Sequence, residues 1–165
     1  FDALVFPGQG ASQPAMSALR ASGMDLALIS AIEEGKPFFG VCLGLQLLLD
    51  WSEEGDTKCL GVIPGSVSRF QGDLKIPHMG WNTIKAEHDH PIFAGLPRSP
   101  YFYFVHSYYA IPNDSSYVTG TTEYGVRFAS TVAKGNLVAT QFHPEKSADA
   151  GLRLLKNFLS WTGET

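Results

Sequence analysis

The sequence predicts an α/β domain with a mostly parallel central sheet and a smaller antiparallel sheet. In the first third of the chain, apolar runs at residues 3–6 and 38–42 alternate with helical patterns at 11–20 and 26–34. Buried strands that alternate with helices are typical of parallel sheets, because their crossover connections are helical. From Gly61 onward short strand and turn patterns replace the helices, which favours antiparallel pairing there.

The composition indicates one globular domain that spans residues 1–165. Of these residues 44% are hydrophobic and 17% are charged, which suits a folded core rather than a disordered chain. The net charge is −4 and there is no basic run, which argues against a nucleic-acid surface. Two cysteines are too few for a disulfide framework, so we expect a reducing, cytoplasmic environment. No apolar run has the length of a membrane span, so no membrane contact is expected.

The helical segments carry boundary signals. The helix over residues 11–20 should stop near Gly23, and Asp25 is the expected N-cap of the next helix, over 26–34. Gly35 suits the position just after that helix. A further helix over 45–51 is expected to end near residues 53–55.

The second half reads mainly as strands. The strongest strand signal is the aromatic run at 101–109, and residues 77–82 read as a turn or loop. Further strands are expected at 67–70, 118–122, 128–132 and 137–142. A final helix should begin at Ser147 as its N-cap, with Leu152, Leu155 and Phe158 on the inner face.

The segment GVCLG at residues 40–44 is the first motif that carries chemistry. It joins a buried strand to a helix, which predicts a nucleophile elbow with Cys42 at its tip. The flanking glycines would permit a tight turn, and the positive end of the helix would favour the thiolate. The alternative is that Cys42 is a small buried apolar residue; Cys59, which has no such context, is expected to be structural.

The segment QFHPE at residues 141–145 supplies the partners that such a nucleophile needs. His143 follows a predicted strand, at the sheet edge where α/β proteins gather their sites, and Glu145 could hold its ring in one tautomer. This predicts acyl transfer through a thioester, with His143 as base and then acid. Backbone N–H groups near Gly10 and Leu43 could form the oxyanion hole. The alternatives are a loop histidine and an acid that favours a helix N-terminus.

A metal site is not expected. His88 and His90 flank Asp89, but no third ligand lies at a suitable spacing, so we interpret this segment as a solvated loop.

Several motifs together resemble the class I glutamine amidotransferases. They are the elbow at 40–44, the Pro-Gly-x-Gly turn at 7–10 and QFHPEK at 141–146. Within that family, KIPHMGWN at 75–82, YFYFVHSY at 101–108 and DAGL at 149–152 are similar to the glutaminase subunits of imidazole glycerol phosphate synthases. The resemblance covers nearly the whole chain.

The resemblance implies a flavodoxin-like fold and a glutaminase without a cofactor. Such subunits hydrolyse glutamine through residues that match Cys42, His143 and Glu145. They pass the ammonia to a (β/α)8-barrel cyclase, which forms imidazole glycerol phosphate and aminoimidazole carboxamide ribotide in histidine biosynthesis.

The resemblance also assigns binding roles. Gln46 and Glu54 match the family's glutamine-binding pair, while Gly10, Ser107 and Tyr108 match positions near the bound glutamine. The residues expected to face the partner are Pro77, His78, Met79, Gly80, Trp81, Asn82 and Lys146.

Two features depart from the family pattern. Gln9 stands where the family more usually has a small aliphatic residue, which could alter how the oxyanion hole forms. The first strand, first helix and second strand of the family have no counterpart in the sequence. We therefore expect the chain to be a fragment that lacks about 40 residues, the length of one strand-helix-strand unit or slightly more.

Three other functions stay open on the sequence. The chain could be an amidotransferase for another acceptor, a related cysteine peptidase, or a catalytically silent module that regulates a cyclase. The loop at 77–82 argues against the first two, and the Cys42–His143–Glu145 set argues against the third.

Overall fold

The computed structural model describes residues 2–163; Phe1, Glu164 and Thr165 lie outside the described residues. The helices are α1 (Ser12–Ser22), α2 (Met24–Glu33), α3 (Leu43–Gln46) and α4 (Ala148–Ser160). The strands are β1 (Leu4–Gly8), β2 (Phe38–Cys42), β3 (Trp51–Ser52), β4 (Thr57–Lys58), β5 (Gly65–Arg69), β6 (His78–Thr83), β7 (Lys85–Ala86), β8 (Tyr101–His106), β9 (Tyr108–Pro112), β10 (Val118–Tyr124), β11 (Val126–Lys134) and β12 (Leu137–Thr140). Short 3-10 turns lie at Pro91–Phe93, Ser115–Tyr117 and Pro144–Lys146.

The sheet is built around β2, whose five residues are all buried. Strands β1 and β12 pair with β2 in parallel on its two sides, which explains its unbroken apolar sequence. The sheet then continues through β11, β9 and β5 by antiparallel pairs, and β3 joins β5 in parallel. Strands β6 and β8 form a separate antiparallel sheet. The predicted α/β fold with a second, smaller sheet is confirmed.

The two faces of β2 contribute to different parts of the core. Phe39 packs with Phe158 of α4, their ring centroids 5.0 Å apart, on one face of the sheet. Phe38 packs with Leu45 and Leu48 on the other face. Among the described residues β1 pairs with β2 alone, and its Val5 side chain is 50% exposed.

The inner face of the final helix is predicted correctly at Phe158, which is buried, and at Leu155, which packs partly buried against the core. It is wrong at Leu152, which is 65% exposed, whereas Gly151 and Leu154 face inward. Gly151 is required there because it lies so close to the 3-10 turn before the helix that an added Cβ would be 1.8 Å from the Pro144 carbonyl oxygen. Ser147 is the N-cap residue as predicted, but its side chain makes no capping bond.

Other differences have tertiary causes. The helix predicted over 45–51 is the single turn α3, because carbonyls that would continue it accept bonds from a later segment: Leu47 O from Leu60 N, and Leu48 O from Val62 N. The segment predicted as a loop at 77–82 forms most of β6, since it pairs with β8. The long strand at 101–109 breaks at Ser107 into β8 and β9, which belong to different sheets.

The first two helices meet at Gly23. This residue has a left-handed φ of 71° and is both the C-cap of α1 and the N-cap of α2, so Asp25 lies in the first turn rather than at the predicted cap. Gly35 follows α2 with a φ of 77°, as predicted. Within residues 2–163 no single helix is long and apolar enough to cross a membrane. Only α1 and α2 taken together reach the length and apolar composition of a span, and they are bent by 85° at their junction.

Candidate active site

Cys42 ends β2 and immediately precedes α3, in the predicted strand–turn–helix arrangement. Its own backbone has φ 55° and ψ −108°, a costly conformation for a residue with a side chain. The flanking glycines serve packing rather than the turn angle. A Cβ on Gly44 would lie 2.0 Å from the Phe6 carbonyl oxygen, and one on Gly40 would lie 2.9 Å from the Ala139 Cβ. The elbow therefore depends on close contact between α3 and β1.

The Cys42 thiol is buried, with 8% of the residue exposed. Burial raises its pKa to about 11, against the opposing effects of the Leu43 backbone N–H and of the Gln141 amide, whose Nε2 lies 3.6 Å from Sγ. The first N–H of the helix does favour the thiolate, as expected, because it lowers the pKa of Cys42, but desolvation by burial outweighs this effect. The thiol carries its proton at neutral pH and needs a base during attack.

The base candidate is His143, which follows β12 and is 2% exposed. Its backbone N–H donates to the Tyr103 carbonyl at 2.9 Å, and its Nδ1 lies 2.7 Å from Glu145 Oε1. Because a carboxylate only accepts, Nδ1 carries the proton and Nε2 keeps a free lone pair. No group in the described part of the chain bonds to this buried Nε2. The ring is thus oriented to receive a proton.

A cavity of about 450 Å³ joins these groups. The predicted site residues that line it are Gly10, Cys42, Leu43, Gln46, Glu54, Pro77, Ser107, Tyr108, His143 and Lys146. Gln9, Val105 and His106 also line it. The volume suits a small molecule.

Two side chains on the cavity wall are held by hydrogen bonds. The Glu54 Oε2 accepts the Ser12 backbone N–H at 2.8 Å and the Ser12 hydroxyl at 2.9 Å. Glu54 lies in the turn between β3 and β4 rather than at the end of a helix. Its carboxylate can bind an amine, while the hydroxyl and backbone donors keep it in place.

Gln46 and Gln141 form the second fixed arrangement. Gln46 Nε2 donates to the Tyr108 carbonyl at 3.0 Å and to Gln141 Oε1 at 3.1 Å. Both amide protons are used, so Oε1 is the Gln46 atom left for a ligand. Gln141, fully buried, was not among the predicted site residues, although it opens the QFHPE motif.

The predicted partner-facing residues do not share one environment. Met79 and Trp81 on β6 are 59% and 53% exposed, Lys146 is exposed, and Pro77, Gly80 and Asn82 are partly buried. His78 is 4% exposed and lies inside the fold, so its prediction as a partner-facing residue is wrong for this conformation. The side chains of β6 alternate between the two sides of the small sheet, which explains the difference.

No cluster of three potential metal ligands occurs among residues 2–163. Cys59 is also buried and its thiol donates to the Thr57 carbonyl at 3.5 Å. It packs with Met16 and Leu43 and does not line the cavity that contains Cys42 and His143.

Comparison with known proteins gives concordant matches. The family model "Glutamine amidotransferase class-I" matches residues 2–161. The imidazole glycerol phosphate synthase subunit HisH of Neisseria meningitidis is 51% identical over 97% of this chain and 79% of the relative. The protein of the same name from Synechococcus sp. is 50% identical over 98% of this chain and 76% of the relative.

Solved structures agree with this fold. A structure titled "Crystal structure of glutamine amidotransferase" is 25% identical, with a TM-score of 0.74 over 99% of this chain and 80% of that one. The glutaminase domain of Trypanosoma brucei CTPS is 18% identical, with a TM-score of 0.64 over 99% of this chain and 75% of that one, and shows a similar fold.

Proposed function

The chain belongs to the class-I glutamine amidotransferase family, and from this premise we propose that it is the glutaminase subunit of an imidazole glycerol phosphate synthase in histidine biosynthesis. The observation that carries the catalytic part is one cavity that contains Cys42, the oriented His143–Glu145 pair and a held carboxylate at Glu54. The HisH relatives, which are about 50% identical to this chain, support the choice of pathway.

The chemistry begins with a neutral thiol. As Cys42 Sγ attacks the carboxamide carbon of glutamine, its proton passes to His143 Nε2 and the C–S bond forms. Glu145 accepts a hydrogen bond from Nδ1–H and so stabilises the imidazolium. The resulting oxyanion accepts hydrogen bonds from the backbone N–H of Leu43 and from the turn at Gly10, which lies on the same cavity wall.

Breakdown of this intermediate releases ammonia. The C–N bond breaks as His143 returns its proton to the nitrogen, which leaves a thioester on Cys42. His143 then takes a proton from water as the water oxygen attacks the thioester carbon. The C–S bond breaks, His143 returns the proton to Sγ, and glutamate departs from the restored thiol. Glu54 would bind the α-ammonium group of glutamine, and Gln46 Oε1 is placed to accept from the same substrate.

The proposal includes a (β/α)8-barrel cyclase as partner. Ammonia released into bulk water would mostly become ammonium, which is not nucleophilic, so a docked partner with a dry passage favours productive transfer. The exposed Met79 and Trp81 on β6 lie on the strand that follows Pro77, a residue of the cavity wall. We place the docking surface there.

Glutamate release tests the function directly. The chain is assayed with glutamine alone, with the cyclase from the same organism, and with that cyclase and its ribonucleotide ligand. We expect a slow reaction alone and a clear increase with the liganded cyclase, because the oxyanion-hole turn at 7–10 is a natural control point. Absence of glutamate release in all three mixtures would refute the glutaminase; equal rates would refute only the coupling.

Replacement of Trp81 by alanine should weaken cyclase binding. An exposed tryptophan on a docking surface is a frequent hot spot, so we expect at least about a tenfold increase in Kd with little change in melting temperature. Isothermal titration against the cyclase measures the change. Leu26→Ala is the matched control, since Leu26 is 70% exposed on α2 rather than on the small sheet, and its Kd should stay unchanged. An unchanged Kd for Trp81→Ala would remove Trp81 from the interface.

A further inference from the structure

Two buried histidines link the small sheet to the cavity wall. His78 on β6 and His106 on β8 are 4% and 6% exposed, and their rings are joined by a 2.9 Å contact between His78 Nδ1 and His106 Nε2. At one end, Asn82 Nδ2 lies 3.2 Å from His78 Nε2. At the other end, His106 Nδ1 lies 2.8 Å from the Tyr108 carbonyl oxygen. The catalytic steps above use neither ring.

The donor and acceptor of every hydrogen bond in this hydrogen-bond chain follow from the chemistry of its atoms. A carbonyl oxygen only accepts, so His106 Nδ1 must carry a proton. Burial lowers the pKa of His106 to about 3 and that of His78 to about 4, so each ring is neutral and carries one proton at neutral pH. His106 Nε2 is therefore an acceptor, and His78 Nδ1–H donates to it.

The Asn82 end of this hydrogen-bond chain gives the same direction independently. A neutral His78 with a proton on Nδ1 has an acceptor at Nε2, so Asn82 must present its amide nitrogen there. The Asn82 amide is oriented by other bonds: its Oδ1 accepts the Thr83 N–H at 2.8 Å, and its Nδ2 donates to the Glu123 carbonyl at 3.0 Å. No donor meets a donor anywhere along the chain.

The Tyr108 carbonyl connects this chain to the nucleophile. The same oxygen accepts a hydrogen bond from Gln46 Nε2. The second N–H of that amide donates to Gln141 Oε1, and Gln141 Nε2 in turn donates to Cys42 Sγ. If the carbonyl moved, Gln46 would lose the bond that fixes its amide plane. The Gln46 side chain, which lines the cavity, would then no longer be fixed in orientation.

We propose that His78 and His106 are positioning residues, which hold the Tyr108 carbonyl so that the Gln46 and Gln141 amides are correctly oriented against glutamine and Cys42. The inference rests on the proposed glutaminase function for its kinetic consequence. The hydrogen-bond chain itself does not depend on that function.

If His78 and His106 served only to fill space, replacement by another aromatic ring would be expected to have little effect on catalysis. His78 stacks on Tyr124 and Phe104, and His106 packs against Phe70 and Phe128, so a phenylalanine would be accommodated among these rings. At position 106 a phenylalanine would keep the packing but lose both the donor to Tyr108 and the acceptor of the His78 proton. An asparagine at position 106 can place its Nδ2 where the histidine has Nδ1, and so can restore the bond to Tyr108.

Kinetics of the cyclase complex separate these roles. For His106→Phe we expect an increase of about fivefold to tenfold in the KM for glutamine, because the bond to the Tyr108 carbonyl and the bond from His78 Nδ1–H are both lost. The buried His78 donor is left unpaired, so the melting temperature should also fall, by about 2–10 °C. His106→Asn should recover most of the affinity. His90→Phe is the matched control and should leave the KM for glutamine unchanged, since His90 is also buried but packs against Trp161. An unchanged KM in His106→Phe, or no recovery in His106→Asn, would overturn the proposal.

The protonation of the two rings can be measured without catalysis. In the full chain with ¹⁵N-labelled histidine, two-bond ¹H–¹⁵N spectra at neutral pH report the protonated nitrogen of each ring. We expect Nδ1–H for His78 and His106, but Nε2–H for His90, whose Nδ1 accepts the Ile92 N–H at 3.1 Å. A charged ring or an Nε2–H tautomer at either position would overturn the inference. Failure of glutamate release with these tautomers present would instead refute the proposed function.

Discussion

Cys42→Ala is expected to abolish glutamine hydrolysis while ammonia still supports the cyclase. Removal of Sγ prevents thioester formation, and the Leu43 and Gly10 donors alone cannot supply a nucleophile. Loss of a nucleophile in a cooperating set typically costs at least about 10³-fold in rate, so glutamate release should fall to background. The cyclase product is measured with glutamine and, separately, with an ammonium salt at mildly alkaline pH.

The second cysteine provides the control for this experiment. Cys59 is also buried, and burial raises its pKa to about 11 as well, but it packs with Met16 and Leu43 and does not line the cavity that contains His143. Cys59→Ala should keep glutamine-dependent activity with only a modest loss of stability. If Cys42→Ala retained wild-type glutamate release, or if Cys59→Ala lost it, the assignment of the nucleophile would be wrong.

The sequence predicted those parts of the fold that depend on local pattern. The limits of β2 at Phe38 and Cys42 were correct because a strand buried on both faces leaves an unbroken apolar run. That Cys42 and His143 line one cavity could be expected for a related reason. Cys42 ends β2 and His143 follows β12, which lies beside it in parallel, and the carboxyl ends of such strands share one edge of the sheet.

Other features depended on distant partners and could not be read locally. The helix after Cys42 is short because Leu60 and Val62 donate to carbonyls that a longer helix would use. His78 is buried because β6 pairs with β8, and a polar segment gives little sign of such pairing. The raised pKa of Cys42 likewise reflects burial by the whole fold, which outweighs the local effect of a helix end.

Gly44 shows how a correct motif can have a different physical basis. The pattern suggested that glycines beside Cys42 relieve backbone strain, yet Gly44 lies outside the positive-φ region and Cys42 itself has the positive φ. What glycine supplies at position 44 is space, because α3 passes directly over β1 at Phe6. The elbow is therefore sensitive to added volume rather than to backbone freedom.

Gly44→Ala is expected to disrupt both stability and catalysis. The new Cβ would lie 2.0 Å from the Phe6 carbonyl oxygen, and because that atom belongs to the backbone of β1, strand and helix must separate. The higher helix propensity of alanine offsets only about 1 kcal/mol. We expect a net loss of about 2–4 kcal/mol, seen as a fall of about 5–15 °C in melting temperature. Glutamate release should drop by at least about 10²-fold, since Cys42 moves with α3.

Gly135→Ala distinguishes the added volume from a general effect of replacing glycine. Gly135 has a positive φ of 56° but nothing within 4 Å of its would-be Cβ, so its replacement adds backbone strain without a clash. It lies in the turn between β11 and β12, at the opposite end of the sheet from Cys42. We expect a loss of about 1 kcal/mol in the free energy of unfolding and unchanged glutaminase activity.

Melting curves and glutamate release of the two variants, measured side by side with the cyclase present, decide the question. A Gly44→Ala chain as stable and active as wild type would show that α3 can move away from β1 without cost, and would remove this contact as the basis of the elbow.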